Sequence, residues 1–180
     1  MRVVRLSDAV CAQLAELAAT AAPREFVALL GGRRVGGAAS DSPDPPDSPD
    51  SPDSPHGPDG PRGPDGFDEA TAVRTLTRQG GGRDSFVVDP IAFAQAEAEL
   101  RDQGLEFVGF VHSHPGGVAA PSARDHLELW PGVVQLIVGC TTQGRHATIR
   151  AFRREGRDKL EPMAIATAAT TATTTPKANP

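Results

Sequence analysis

Apolar side chains recur at three- and four-residue spacing from Leu6 to Ala22, with Val10, Leu14, Leu17, Ala18 and Ala21 on one face. Ser7 stands where an N-cap belongs and Pro23 where the helix must stop, so this segment is predicted helical. The pattern then changes. Glu25-Phe-Val-Ala-Leu-Leu-Gly-Gly32 is a short, mostly apolar run closed by two glycines, as expected of a buried strand entering a turn, with Glu25 at its start. From Glu69 to Arg78, Ala70, Ala72 and Leu76 alternate with Thr and Arg, predicting the return strand of a hairpin. Phe86-Val-Val88 leads to Asp89-Pro90, an N-cap and first-turn proline ahead of an Ala/Glu-rich helix that reaches Gln103 and ends at Gly104. Leu105 to Val111 reads as an apolar strand that carries Glu106 and runs into His112-Ser-His-Pro115. A glycine-rich loop and Pro121-Ser122 precede a short helical pattern from Ala123 to Trp130. Val133–Val138 and Ala147–Phe152 then flank a polar turn at Gln143-Gly144. Together these elements describe one mixed α/β domain, with at least two helices around a sheet.

Composition changes this picture in one place. Residues 40–66 hold 9 of the 17 prolines, with 7 Asp, 5 Ser and 4 Gly and no aliphatic or aromatic side chain, so they cannot build a core and are expected to be a disordered insert. A loose Ser-Pro-Asp repeat turns there into Gly-X-Y triplets, too few for a triple helix. The insert falls at the tip of the predicted hairpin, where added length costs little. One Arg against seven Asp gives it a charge of −6. The other 153 residues, with 17 basic and 16 acidic side chains, stand at +1. From about Ala166 the chain is Ala/Thr-rich and is expected to be a disordered tail over 166–180.

A near-neutral body without a Lys/Arg stripe lacks the electrostatic footprint of nucleic-acid binding. No window approaches the roughly 20 apolar residues that span a bilayer, and residues 1–5 lead into an amphipathic segment rather than a signal-peptide run. The expected location is the cytoplasm, with neither nucleic acid nor membrane as partner. Cys11 and Cys140 are too few for a disulfide scaffold and read as small buried hydrophobes.

The chemistry-bearing residues cluster around the strand end at 112. His112 and His114, at i and i+2, point to the same face and can converge on one ion. Neutral imidazoles suit Zn²⁺, whose catalytic sites take three protein ligands and keep a fourth position open for water. Asp125 is the candidate third ligand, because the Gly116–Pro121 loop can bring the next helix back beside the histidines, and Ser122 lies one turn before it. Plainer readings exist for each piece. The histidines could be surface or satisfied core residues, Ser122 and Asp125 could simply cap a helix, and Glu25 could be a solvated residue between two elements. His56, His126 and His146 read as structural or solvent-facing.

The joint pattern is sharper. His-Ser-His-Pro, six residues, Ser, two residues, Asp resembles the metal-binding motif of the JAMM (MPN+) metallopeptidases at every named position from His112 to Asp125. The family also places a glutamate early, in a pattern close to Pro-x-Glu-x-x-Gly-x-Leu-x-Gly. Pro23 to Gly32 fits it, with Ala28 where the family has glycine. The resemblance runs from Leu6 to about Phe152. It implies an α/β (mixed α+β) fold, a curved mixed β-sheet flanked by helices in one MPN/JAMM-like (cytidine-deaminase-like) catalytic domain over 1–165, interrupted by the insert. It further implies one Zn²⁺ per chain held by His112, His114 and Asp125, with Glu25 taking a proton from the activated water and Ser122 holding the oxyanion.

By the same resemblance the substrate is a peptide or isopeptide bond after the Gly-Gly tail of a ubiquitin-like protein. In small stand-alone members of the kind this chain resembles, that protein is a ThiS/MoaD-like sulfur carrier. A Gly-Gly tail has no Cβ to clash in a narrow cleft and could add to a strand edge. The competing class is a non-catalytic MPN-type scaffold that binds partner proteins. Such members lack one or more ligands, whereas all are present here. A nucleobase deaminase is disfavoured by the absence of a His-x-Glu with a Cys-x-x-Cys.

Overall fold

The structure is a computed structural model that describes residues 2–35, 67–76, 89–155 and 159–168. In chain order the elements are β1 (Val3–Ser7), α1 (Asp8–Ala21), β2 (Val27–Val35), β3 (Phe67–Thr75), α2 (Pro90–Asp102), β4 (Glu106–Pro115), α3 (Asp125–Glu128), β5 (Val134–Cys140), β6 (Thr148–Glu155) and β7 (Lys159–Ala168). The expected mixed α+β architecture is present. Its sheet curves until it closes into a barrel, in the order β1-β3-β2-β4-β5-β6-β7 and back to β1.

Local signals govern the helices. The Ser7 hydroxyl accepts the Val10 amide at 3.2 Å and starts α1; the Asp89 carboxylate accepts the Ile91 amide at 2.9 Å and starts α2, whose first residue is Pro90. Gly104, at φ +69°, takes the left-handed conformation that ends α2. Alternation along the strands produces two cores. Ala28 and Leu30 share one face of β2 and join Val4, Leu6, Val73, Val111, Leu136, Val138 and Met163 around Val10, Leu14 and Ala18 of α1. Leu29, between them, faces the other way and packs with Phe110, Val133 and α2 residues Ala96 and Leu100. Gly31 lets α2 sit down on that outer face, since a Cβ there would strike the Leu100 side chain.

Several boundaries depart from expectation. β2 begins at Val27, so Glu25 precedes the strand rather than opening it. The hairpin exists, with Val35 paired to Phe67, and the insert falls between those two positions, outside the described residues together with Phe86–Val88 and 169–180. The helix expected over 123–130 forms only at Asp125–Glu128, because Leu129 and Trp130 turn down onto the sheet. β1 and β7 were not anticipated. β7 runs through Ala168 and so takes in three residues expected in the tail; it pairs in parallel with β1, which pairs in parallel with β3, and this closes the ring.

Candidate metal centre

β4 carries His112 and His114 to the outer face of the barrel beside β5, where parallel pairing sets them against Ile137 and Gly139. Beyond Pro115 the chain doubles back. Gly116, at φ +76°, donates its amide to the Cys140 carbonyl at 2.7 Å, and Gly117 donates to the His114 carbonyl at 3.1 Å. The loop then crosses β5 directly over Gly139, where any Cβ would collide with the backbone of Val118 and Ala119. This crossing returns the chain to the histidines and delivers Asp125.

Asp125 is held from several directions. The Ser122 amide donates to Asp125 Oδ2 at 2.6 Å, and the Asp125 amide donates to Ser122 Oγ at 3.2 Å, a reciprocal pair like a capping box. Downstream, Arg154 donates to the Leu129 carbonyl at 2.8 Å and the fully buried Gln135 to the Trp130 carbonyl at 3.2 Å. Trp130 packs edge-on against Phe110, with ring centroids 5.2 Å apart.

The ligand atoms converge. His112 Nε2 and His114 Nε2 are 3.1 Å apart; His112 Nε2 lies 3.2 Å from Asp125 Oδ1, and His114 Nε2 lies 3.4 Å from Asp125 Oδ2. Ligand atoms at corners of a tetrahedron with bonds of roughly 2.0–2.1 Å are separated by roughly 3.3–3.4 Å, so these spacings suit one zinc-sized ion. Proton placement suits it too. His114 Nδ1 lies 3.3 Å from the Val118 carbonyl, which can only accept, so Nδ1 is the donor there and a neutral His114 would have its Nε2 lone pair free for an ion. Burial alone would raise the Asp125 pKa, but hydrogen bonds from both imidazoles and the Ser122 amide outweigh it and hold the carboxyl well below its usual range. The hydrogen bond that His114 donates to Asp125 raises the imidazole's pKa against desolvation, and the charges of Asp125 and Glu25 add to the rise. Register points the same way: Val27 pairs with His112 and the Phe26 carbonyl accepts the Ser113 amide, so Glu25, one residue earlier, comes level with His114.

All five site residues expected from sequence therefore meet around the end of β4. His112, His114 and Asp125 are packed together, Ser122 adjoins Asp125, and Glu25 comes level with His114 by strand register. His126 and His146 are exposed, and His56 lies outside the described residues. Cys11 and Cys140 are free thiols whose pKa values are raised by burial, with Asp8 adding to the rise at Cys11. Sequence reasoning missed Val118, Gln135 and Arg154. The first acts through its carbonyl, which no side-chain pattern reveals; Gln135 inside the apolar run of β5 is the visible signal, whereas Arg154 is one of three arginines in β6 and does not stand out.

Comparison with known proteins agrees with this architecture. A solution structure of protein DSY2949 from Desulfitobacterium hafniense superposes with a TM-score of 0.67 at 22% identity, covering 92% of this chain and 93% of that one. One of a protein from Salinibacter ruber gives 0.60 at 21% identity, covering 95% and 94%. These two establish a shared fold. A 68-residue stretch is 38% identical to a Thermus thermophilus protein described as a probable TtuB-protein conjugate cleaving protease; the match spans 38% of this chain and only 42% of that relative's length. Residues 7–155 match the family described as prokaryotic homologs of the JAB domain, and with the fold and the His112, His114, Asp125 cluster in place, the chain belongs to that family.

Proposed function

We propose that this protein is a zinc-dependent peptidase that hydrolyses the peptide or isopeptide bond after the Gly-Gly tail of a ubiquitin-like or sulfur-carrier protein, in the cytoplasm. The observation that carries the reading is the triangle of ligand atoms from His112, His114 and Asp125, at tetrahedral spacing. The description of the Thermus relative as a conjugate-cleaving protease supports the substrate class.

His112, His114 and Asp125 would hold the ion. When bound, zinc lowers the pKa of a coordinated water to about 7 and polarises a carbonyl. Every other task falls to the chain. The Glu25 carboxylate accepts the proton released from the attacking water and returns it to the leaving nitrogen. Ser122 Oγ already accepts the Asp125 amide, which leaves its O–H proton to be donated to the oxyanion that forms on the attacked carbonyl.

The test pairs zinc content with cleavage. Wild type and Glu25→Gln are each loaded with zinc and assayed by mass spectrometry against a ThiS/MoaD-like carrier extended beyond Gly-Gly. About one zinc in both, with trimming by wild type alone, is the expected result. Zinc without cleavage of any such carrier overturns the substrate assignment. Failure of both proteins to hold zinc overturns the enzyme and leaves the scaffold reading.

A further inference from the structure

Glu25 belongs to no strand ladder, yet its task requires a fixed place. α1 ends at Ala21 and β2 begins at Val27, and between them the Arg24 N–H donates to the Ala21 carbonyl. The first anchor after Glu25 is Phe26, and both of its backbone groups are taken by one residue. The Ser113 amide donates to the Phe26 carbonyl at 3.1 Å, and the Phe26 amide donates to Ser113 Oγ at 3.0 Å. Ser113 sits between the two histidines but, by strand alternation, faces away from them into the barrel interior, where it is fully buried. It cannot touch the ion. A hydroxyl placed there costs stability unless bonded, and a methyl would suit the apolar surroundings as well. What the hydroxyl adds is a hold on the residue next to Glu25.

We propose that Ser113 is a positioning residue: its hydroxyl clasps the Phe26 amide and so locks Glu25 beside the ion-binding face, joining the proton acceptor to the strand that carries two of the three ligands. The kinetic consequence rests on the peptidase reading above; the clasp itself does not.

The test uses the full-length zinc-loaded protein with Ser113→Ala, and with Ser113→Cys, which keeps the volume but offers only a weak acceptor. Either variant that folds suffices. Exchange of the Phe26 amide is expected to rise at least about fivefold, the scale of one lost hydrogen bond, while Leu29 and Leu30 stay protected. Zinc content should stay at wild-type level. Misplacement of a catalytic group by an ångström or less costs on the order of 10- to 100-fold, so kcat should fall by that factor with KM within about twofold. In a Glu25→Gln background the same substitution should change nothing further. An unchanged kcat, or a full additional loss on top of Glu25→Gln, overturns the proposal. If wild type cleaves no Gly-Gly carrier, the peptidase reading fails separately. The clasp is then decided by Phe26 exchange and by a crystal structure of the variant: a displaced Glu25 upholds it, and an unmoved one overturns it.

Discussion

Two clusters of buried polar side chains sit at opposite ends of the barrel, and they are built on opposite principles. At one end Arg153 and Asp68, which share strand faces with core residues Ala151 and Ala70, form an ion pair at 3.0 Å with both side chains less than a tenth exposed. Register puts them far from the histidines: Arg153 pairs with Val134 at the start of β5, whereas His114 pairs with Gly139 near its end. The Arg153 pair is balanced, one cation to one anion. The other cluster gathers two imidazoles and a carboxylate, with a second carboxylate nearby, and holds no Lys or Arg among its ligand atoms. A buried pair of opposite charges serves the fold. Two imidazoles and a carboxylate at tetrahedral spacing instead form a donor set that suits a cation.

The contrast can be broken in descending order of effect. Glu25→Gln should reduce cleavage by about 10²–10⁴ with zinc content and thermal midpoint unchanged, as read by mass spectrometry and calorimetry. Asp68→Ala should do the reverse. Removing the carboxylate that faces buried Arg153 should cost about 3–5 kcal/mol in denaturant unfolding, with activity per folded molecule preserved. Combining Asp68→Asn with Arg153→Met should recover most of that stability; if instead it abolishes cleavage, the two ends are not separable. Ser122→Ala sharpens the comparison, because the residue has both a capping and a proposed catalytic role. Rate should fall about 10²-fold if the hydroxyl meets the oxyanion. Loss of the cap alone would show as roughly 1 kcal/mol of stability with the rate intact.

The smallest effect is pH dependence in the metal-free protein. The raised pKa of His114 contributes stability that is full below its ordinary value and lost as pH climbs through the raised one. The lowered pKa of Asp125 contributes stability present above its ordinary value and lost as pH falls. The thermal midpoint of the metal-free protein should therefore decline slightly from pH 6 to 8. The gap to the zinc-loaded protein should widen over the same range, since zinc binds the neutral imidazoles.

What the sequence disclosed was what lies close in the chain. Ser7, Asp89-Pro90 and Gly104 act within one turn of the helices they bound, and each is where the pattern put it. His112, His114, Ser122 and Asp125 fall within one strand, loop and helix start, so their convergence was legible as well. Closure of the barrel was not. β1 is only five residues long, and β7 carries Pro162 and an Ala/Thr-rich end that looks like tail; that end, 164–168, is paired in parallel with β1, across almost the whole chain. The strand assignment of Glu25 failed for a related reason. An apolar run shows where burial begins, but the partner that starts the ladder is on β4, and pairing with His112 begins at Val27.

The pairing of Val35 with Phe67 has one more consequence. These two residues are already neighbours, so whatever sequence lies between them spans no gap and is asked to bridge nothing. They also sit at the far end of β2 from Glu25, roughly 25–30 Å away at strand spacing. The separation of the two strand ends is therefore set by their own pairing and not by the length of the interval that joins them.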